Sequence, residues 1–407
     1  MTLPNESDPV AAQYERWIYP EPWPDLTVFP FESADCHYDD LRKMHWALWP
    51  AAAAIRDDLR ILVAGCGSMA AACYAYRYSR AQVTGIDLSS ASLAHEERLK
   101  ERHSLDNLTL RQMSLEAAKS LGSEYDFIAS AGVLHHMRDP VAGLRALGEV
   151  LAPDGVISLM VYARYGRAGV YMMQDLFRIL DLGQTSADVQ AVKEGLNAVG
   201  PNHPVRNYLR LSIDLGADTG LVDTFLHRQD RAYTVGECLD LVRDAGLAFQ
   251  GWDENIFYHP DLQLPPTHPF RARLEKLAPA QQWAAMELLH GTIGSHFFHV
   301  CRSDRDPSRY RISFEGDGFL DAIPVPRVDD WPGVQPRLRT DLVRAPFPRV
   351  PLDAVQQKFF AAIDGQRTLR ECLRAAGLDA GQPRVVDYAG RFLGFLWRIG
   401  YMMFRLP

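Results

Sequence analysis

The chain has 407 residues, 47% of them hydrophobic and 23% charged, an ordinary globular usage that excludes disordered and fibrous classes. Its length predicts roughly two or three domains. A formal charge of −8 argues against a protein that holds phosphate backbones, so no nucleic-acid partner is expected.

No apolar run approaches the roughly 18 residues of a membrane helix. The richest, Trp46 to Ile55, is broken by Pro50, and no membrane partner is expected. The opening MTLPNESDPV lacks the basic and apolar stretches of a leader, which points to the cytoplasm. Cys36, Cys66, Cys73, Cys238, Cys301 and Cys372 are scattered without a CxxC pair and read as reduced thiols.

Residues 1–58 are rich in aromatics and proline, with Tyr14, Trp17, Tyr19 and Trp23 early and Trp46 and Trp49 late. Asp8 as cap and Pro9 at the first position predict a short helix to Trp17. The following YPEPWPDLTVFPF carries too many prolines for a helix and must drape over something else. The segment reads as an N-terminal lid, although its aromatics suit core packing equally well.

From Leu59 short apolar runs alternate with helical patterns. Strands are expected at Arg60–Ala64, Gln82–Ile86, Leu108–Gln112, Tyr125–Ser130 and Gly155–Tyr162, with helices at 68–79, 89–103 and 139–151. Such alternation predicts a mostly parallel sheet with helices on both faces. A later set follows: a helix at Thr234–Ala245 and strands at Leu247–Trp252 and Gly291–Arg302. Insertions at about 163–233 and 254–290 are long enough to form a helical cap. Residues 306–345, rich in proline and arginine, read as a linker or arm. The module at 346–407 reads as three helices and a terminal YMMFRL strand, with Thr368 and Glu371 forming a capping box.

The strongest local signal is ILVAGCGSMAAACYAYR, Ile61 to Arg77. A buried strand ends at Gly65-Cys66-Gly67 and a helix opens near Ser68, so free N–H groups and bare backbone face a ligand. Asp87, 22 residues after Gly65, ends the second strand, where its carboxylate can accept both hydroxyls of a ribose or cap the next helix. This much fits a nicotinamide dinucleotide as well as S-adenosylmethionine (SAM).

The block YDFIASAGVLHHMRDPVAGLRALGEVLAPDGVISLMVY separates the two. With Gly132–His136, Asp139-Pro140 and the turn Leu151–Gly155, it resembles the class I SAM-dependent methyltransferases over about 60–162, and the order of later elements extends the likeness over 234–302. The resemblance implies an α/β fold: a doubly wound sheet with helical cap insertions and a 59–305 catalytic domain. It implies that Gly65, Cys66 and Gly67 pack against the methionine and ribose of SAM. Asp87 would bind the ribose, Leu88 stack on adenine, Ser114 and Leu115 stand at the adenine edge, and Ser130 and Val133 line the methyl end. Two positions depart from the family pattern: Val63 replaces an acidic residue, and Met69 replaces the third glycine. The family's (Asn/Asp)-Pro-Pro-Tyr signature for nucleobase amines is absent, with Ala129–Gly132 in its place.

On the acceptor side, His135 and His136 follow the fourth strand at the ligand edge, with His135 the first choice for a general base; a purely structural pair is the alternative. Tyr162 and Arg164 follow the fifth strand, with Tyr165 and Arg167, and either grip the acceptor or start the cap. His227 and Arg231 lie in DTFLHRQDRAYTV, where an Asp230–Arg231 ion pair fixing the cap is the competing reading. Tyr14 and Tyr19 complete the substrate-side candidates. His296 and His299 fall on opposite faces of one strand, and no metal is expected.

The C-terminal module resembles PqqD-like and winged-helix regulatory domains through Ile363–Cys372, IDGQRTLREC. That would allow a peptide or protein acceptor, DNA binding, or a dimerisation domain without a ligand; Phe359, Phe360, Phe392, Phe395 and Trp397 are most simply its core. The expected function is methyl transfer from SAM to an O or N atom of a small molecule or peptide-linked metabolite. The rivals are a peptide or protein methyltransferase recruited through the module, a SAM-binding regulatory protein without catalysis, and a dinucleotide oxidoreductase. A homodimer is left open.

Overall fold

The computed structural model describes residues 9–31, 40–212, 214–327, 341–342 and 350–407. Cys36, the Asp8 cap and much of the expected arm lie outside them. The described residues fall into two compact units. One is formed within 9–31, 57–253 and 287–303; the other is formed within 40–56, 254–286 and 304–407.

In the first unit β1 (Arg60–Ala64), β2 (Gln82–Asp87), β3 (Leu108–Gln112), β4 (Tyr125–Ala131), β5 (Leu151–Tyr162), β6 (Leu247–Trp252) and β7 (Ser295–Arg302) form one sheet in the order β3-β2-β1-β4-β5-β7-β6. The first five are parallel, while β7 runs antiparallel to both β5 and β6. β1 is buried from Ile61 onward because helices cover both faces, which is why it reads as an unbroken apolar run. β5 starts four residues earlier than the sequence suggests, at Leu151, with a register shift against β4. Strand order reverses between β1 and β4, and an open parallel sheet binds ligands beyond the strand ends at such a switch.

The helices α1 (Pro9–Arg16), α2 (Ala70–Arg77), α3 (Ser90–His103) and α4 (Pro140–Glu149) have separate stop and start signals. Ser89 caps α3 by accepting the Ser92 N–H, and Asp139 caps α4 ahead of Pro140 at the first position. Met69 offers α2 no side-chain cap. Glu96 of α3 supplies it instead: its two carboxylate oxygens accept the N–H groups of Ala71 and Ala72 at 2.9 and 2.8 Å.

After β5 the chain forms a helical cap of α5 (Ala168–Ile179), α6 (Ser186–Ala198), α7 (Val205–Leu211) and α8 (Asp218–Phe225). Its own core includes Val170, Phe177, Val192, Leu221 and Phe225. It returns to the sheet through α9 (Val235–Asp244), opened by a Thr234/Glu237 capping box.

The second unit takes in 40–56 and 254–286, which the sequence assigned to the lid and to a cap insertion. Helices α10 (Ala354–Ala361), α11 (Leu369–Ala375) and α12 (Pro383–Arg398) surround a core that includes Phe359, Phe360 and Phe392, with Phe395 and Trp397 packed on it. The Thr368/Glu371 capping box forms. The terminal strand β9 (Met402–Arg405) pairs antiparallel with β8 (Ile323–Pro326). Part of the expected arm is therefore structure, with Phe319, Leu320 and Ala322 in the core. Pro324 and Pro326 are tolerated because a two-stranded pair has open edges where no N–H is required. The five described cysteines are buried. Among the described residues no helix is long and apolar enough to cross a membrane.

Burial pushes the Glu96 carboxyl up to about 8 from an ordinary 4.5. An unfolded glutamate loses its proton at the lower value, so native stability falls as pH rises through this window. Thermal midpoints of Glu96→Gln are expected to vary less between pH 5 and 8 than those of the wild type; equal slopes would place the proton elsewhere.

Candidate functional site

Gly65, Cys66 and Gly67 follow β1, with positive φ at both glycines. A Cβ on Gly65 would lie 2.3 Å from Val133 Cγ2, and one on Gly67 would lie 2.8 Å from the Tyr19 carbonyl oxygen. Neighbours thus press directly on bare backbone. Asp87 accepts the Gly67 N–H through Oδ2 and the Ser89 N–H through Oδ1, both at 2.8 Å. It ties the glycine turn to the start of α3, while Ser89 itself is the cap. Burial raises the Asp87 pKa, and those N–H groups work against the rise. Leu88 follows in the same loop, its carbonyl held by Gln112 at 2.9 Å. Ser114 and buried Leu115 stand just past β3, and Ser130 and Val133 at the end of β4. The topology brings all these predicted positions to one edge of the sheet.

Two observations test their fit to SAM. Ser130 Oγ is buried without a hydrogen-bond partner, and Asp87 is a half-buried carboxylate with an oxygen lone pair to spare on each side. A nucleoside with free hydroxyls suits such groups. The residues fit.

Beyond β4 and β5 lies a second, buried polar cluster. Asp223 of α8 accepts the Tyr14 hydroxyl on Oδ1 at 2.8 Å and the Tyr162 hydroxyl on Oδ2 at 2.9 Å. Tyr14 Oη also lies 3.3 Å from His227 Nε2. The ring tautomers follow from backbone partners. The Gln229 N–H donates to His227 Nδ1 at 3.0 Å, so a neutral His227 carries its proton on Nε2 and donates it to Tyr14. His136 Nδ1 sits 2.9 Å from the Gln229 carbonyl and donates to it, leaving a lone pair on Nε2. The His136 carbonyl in turn accepts from Gln229 Nε2 at 2.7 Å. The His136 and His227 rings stack at 3.8 Å.

His135 is different. Its ring lies 3.8 Å from that of Tyr162, and neither nitrogen has a hydrogen-bond partner. Burial, with His136 and Arg167 nearby, holds its pKa well below the ordinary range. Burial does the same for His227. For Tyr162 and Tyr14, burial first and then the Asp223 charge push the phenols up.

The structure brings Tyr14, His135, His136, Tyr162 and His227 together and places Tyr19 over the glycine turn. It does not bring in Arg164 or Arg231. Both side chains point outward to Glu237 at the start of α9, at 2.7 and 3.9 Å. The expected Asp230–Arg231 pair is replaced by buried Asp230 facing buried Arg167 at 3.8 Å. The Arg167 guanidinium lies 3.5 Å over the Tyr162 ring. Asp223 is the member of this cluster that local pattern missed, whereas Arg167 was among the candidates after the fifth strand. The available signal for Asp223 was a lone carboxylate inside the apolar helix GLVDTF, every residue of which is buried.

A ring nitrogen from each of His136 and His227 and a carboxylate oxygen of Asp223 lie within 4.8 Å of one another, a grouping the sequence did not anticipate. A metal would need a lone pair on His227 Nε2, where the Gln229 N–H on Nδ1 instead places a proton. Dialysis against EDTA is expected to leave the thermal midpoint unchanged. A drop restored by Zn²⁺ would show that His227 exchanges this bond for a metal.

Residues 62–157 match the model of the methyltransferase domain family. Over 339 residues the chain is 29% identical to an uncharacterized protein of Synechococcus sp., covering 80% of this chain and 79% of that one. It is 31% identical over 129 residues to the ubiquinone biosynthesis O-methyltransferase of Albidiferax ferrireducens, 30% of this chain and 49% of the relative. The fold is similar to that of PKMT2 from Rickettsia typhi in complex with AdoHcy, with a TM-score of 0.59 over 89% of this chain and 74% of that one at 15% identity. The chain thus carries a segment similar to the methyltransferase domain family over residues 62–157, with the glycine turn and Asp87 inside it, on a fold similar to that of PKMT2.

Proposed function

We propose that the protein transfers a methyl group from SAM to an oxygen or nitrogen atom of a small molecule or peptide-linked metabolite. The observation that carries this reading is the buried cluster of Tyr14, His136, Tyr162, Asp223 and His227, beyond the same strand ends as the cofactor turn. When bound, SAM supplies a methyl group already activated by a sulfonium charge, ready for in-line displacement. The chain therefore has to align the acceptor, exclude water and accept a proton.

Gly65, Cys66 and Gly67 offer backbone to the methionine and ribose portion. Asp87 accepts from the ribose hydroxyls, Leu88 packs on the adenine, and Ser114 and Leu115 border its edge. Ser130 and Val133 line the methionine end. His136 takes the acceptor proton on Nε2, since its Nδ1–H is already committed to Gln229. His135, unoriented by any hydrogen bond, serves as a wall against Tyr162.

A SAM-binding protein without turnover is the rival. It is favoured by Val63 and Met69, both buried and both without a polar group for the cofactor. Tight binding with no methyl released to any acceptor would select it.

Calorimetry with SAM, S-adenosylhomocysteine (SAH) and NAD tests the cofactor assignment. Wild type is expected to bind the two sulfur ligands and not NAD. Asp87→Ala is expected to weaken both by about a hundredfold, the worth of two charge-assisted hydrogen bonds. Undiminished binding in the variant would remove Asp87 from the site.

A further inference from the structure

Arg167, the residue before α5, is buried with its best hydrogen-bonding edge unused. Its side chain is 1% exposed, and its Nη1 donates to the Tyr208 hydroxyl. The other two nitrogens, Nε and Nη2, make no hydrogen bond. Their N–H bonds run parallel along one side of the guanidinium, the fork that fits both oxygens of a carboxylate. The rings of Tyr162, Tyr208 and Tyr171 lie 3.5, 4.9 and 5.9 Å from the guanidinium carbon. The Tyr171 hydroxyl is buried without a hydrogen-bond partner as well.

One carboxylate stands close by and does not meet the fork. Asp230 Oδ2 lies 3.8 Å from Nη2, beyond hydrogen-bond distance. Gln174 holds it there: its Nε2 donates to Oδ2 at 2.9 Å and to the Thr224 carbonyl at 2.8 Å. Asp230 Oδ1 has no donor. Asp230 thus offsets the charge of Arg167 without satisfying its N–H groups. An ion pair that served only to fasten the cap would be stabilised by closing to two direct bonds, because donors taken out of water and left unpaired are costly. This pair is held open.

Tyr162 joins the fork to the methyl-transfer side. The His135 ring lies 3.8 Å from it, and with the guanidinium at 3.5 Å the two can only lie on opposite faces. His136, the base of the proposed reaction, meets the same ring edge-on at 5.7 Å. Fork and base are separated by little more than one aromatic ring, a span that a small amino or hydroxy acid covers.

We propose that Arg167 is an anchor for a carboxylate, and that the acceptor is a small amino or hydroxy acid whose carboxylate enters the Nε/Nη2 fork while its nitrogen or oxygen faces His136. The carboxylate is held and is not the atom methylated. The proposal rests on the methyltransferase reading and deepens it by naming the substrate class.

The test compares thermal midpoints of the full chain, with and without SAH, in matched pairs of compounds that differ only in the carboxylate. Acetate against acetamide is the smallest pair; 4-aminobenzoate and 4-hydroxybenzoate against their amides add an acceptor atom, all at equal ionic strength. In wild type at least one acid is expected to raise the midpoint saturably, and its amide is not. Arg167→Lys keeps the charge and loses the fork, and is expected to weaken that acid by about tenfold, the worth of one hydrogen bond to a charged group. Gln174→Leu leaves Arg167 intact and frees Asp230 to close on the fork. It is expected to weaken the acid as well, and it carries the comparison if Arg167→Lys does not fold. Equal shifts from acid and amide, no shift from any acid, or undiminished acid binding in the variants would overturn the anchor. Calorimetry with SAH separates the two levels. Absence of SAH binding defeats the methyltransferase reading itself, whereas SAH binding without a preference for acids defeats only the anchor.

Discussion

A carboxylate taken out of water must be met by donors or be neutralised, and Asp223 is met by two tyrosine hydroxyls from elements far apart in the chain. Tyr162 ends the fifth strand, Tyr14 lies in the first helix, and Asp223 belongs to the cap. One buried charge thereby fixes the relative positions of sheet, cap and N-terminal helix. The imidazoles follow from it. His227 reaches Tyr14, His136 stacks on His227, and Gln229 presents its N–H to one ring and its carbonyl to the other. The backbone of a single residue thus sets two rings in opposite tautomers, one left with a proton facing the cluster and the other with a lone pair.

The glycine turn and its tie to Asp87 were largely legible in the sequence, because their demands are local. A strand ending in two glycines, a carboxylate ending the next strand and a proline-opened helix each act through neighbouring backbone. The buried polar cluster around Asp223 was legible only in part. Its candidate list contained Tyr14, His136, Tyr162 and His227, but the residue that unites them, Asp223, sits in a helix whose pattern says only that it is buried. Arg164 and Arg167 look interchangeable in YARYGR. They separate because Arg164 meets Glu237 at the surface, whereas Arg167 lies under the Tyr162 ring. Spacing along a chain leaving a strand does not reveal which of two arginines turns inward.

The second unit shows the same limit on a larger scale. Its helices were readable from caps and apolar spacing, and the Thr368 capping box was explicit. The partner of its last strand was not, because Ile323–Pro326 carries two prolines and no period. Strand pairing depends on which edges remain open in space, and a proline-rich stretch becomes a strand when an apolar partner lies alongside. Similarly, the departure at Met69 is answered by Glu96, whose sequence position gives no hint that its two oxygens cap a helix on a different element.

Asp261 illustrates how this arrangement distributes risk. Its carboxylate is almost fully enclosed and is held by Arg271 at 2.8 Å and by Arg398 of the last helix at 2.7 Å. Burial would raise its pKa, yet the two guanidiniums hold it below the ordinary range. Removing the last turn of that helix takes away one of the two counter-charges. The damage from a C-terminal frameshift or proteolytic nick would therefore surface more than a hundred residues upstream, at 261, in a segment whose own sequence is untouched. Asp261 is thus left with a single counter-charge until synthesis has passed Arg398 and the helix that carries it has folded.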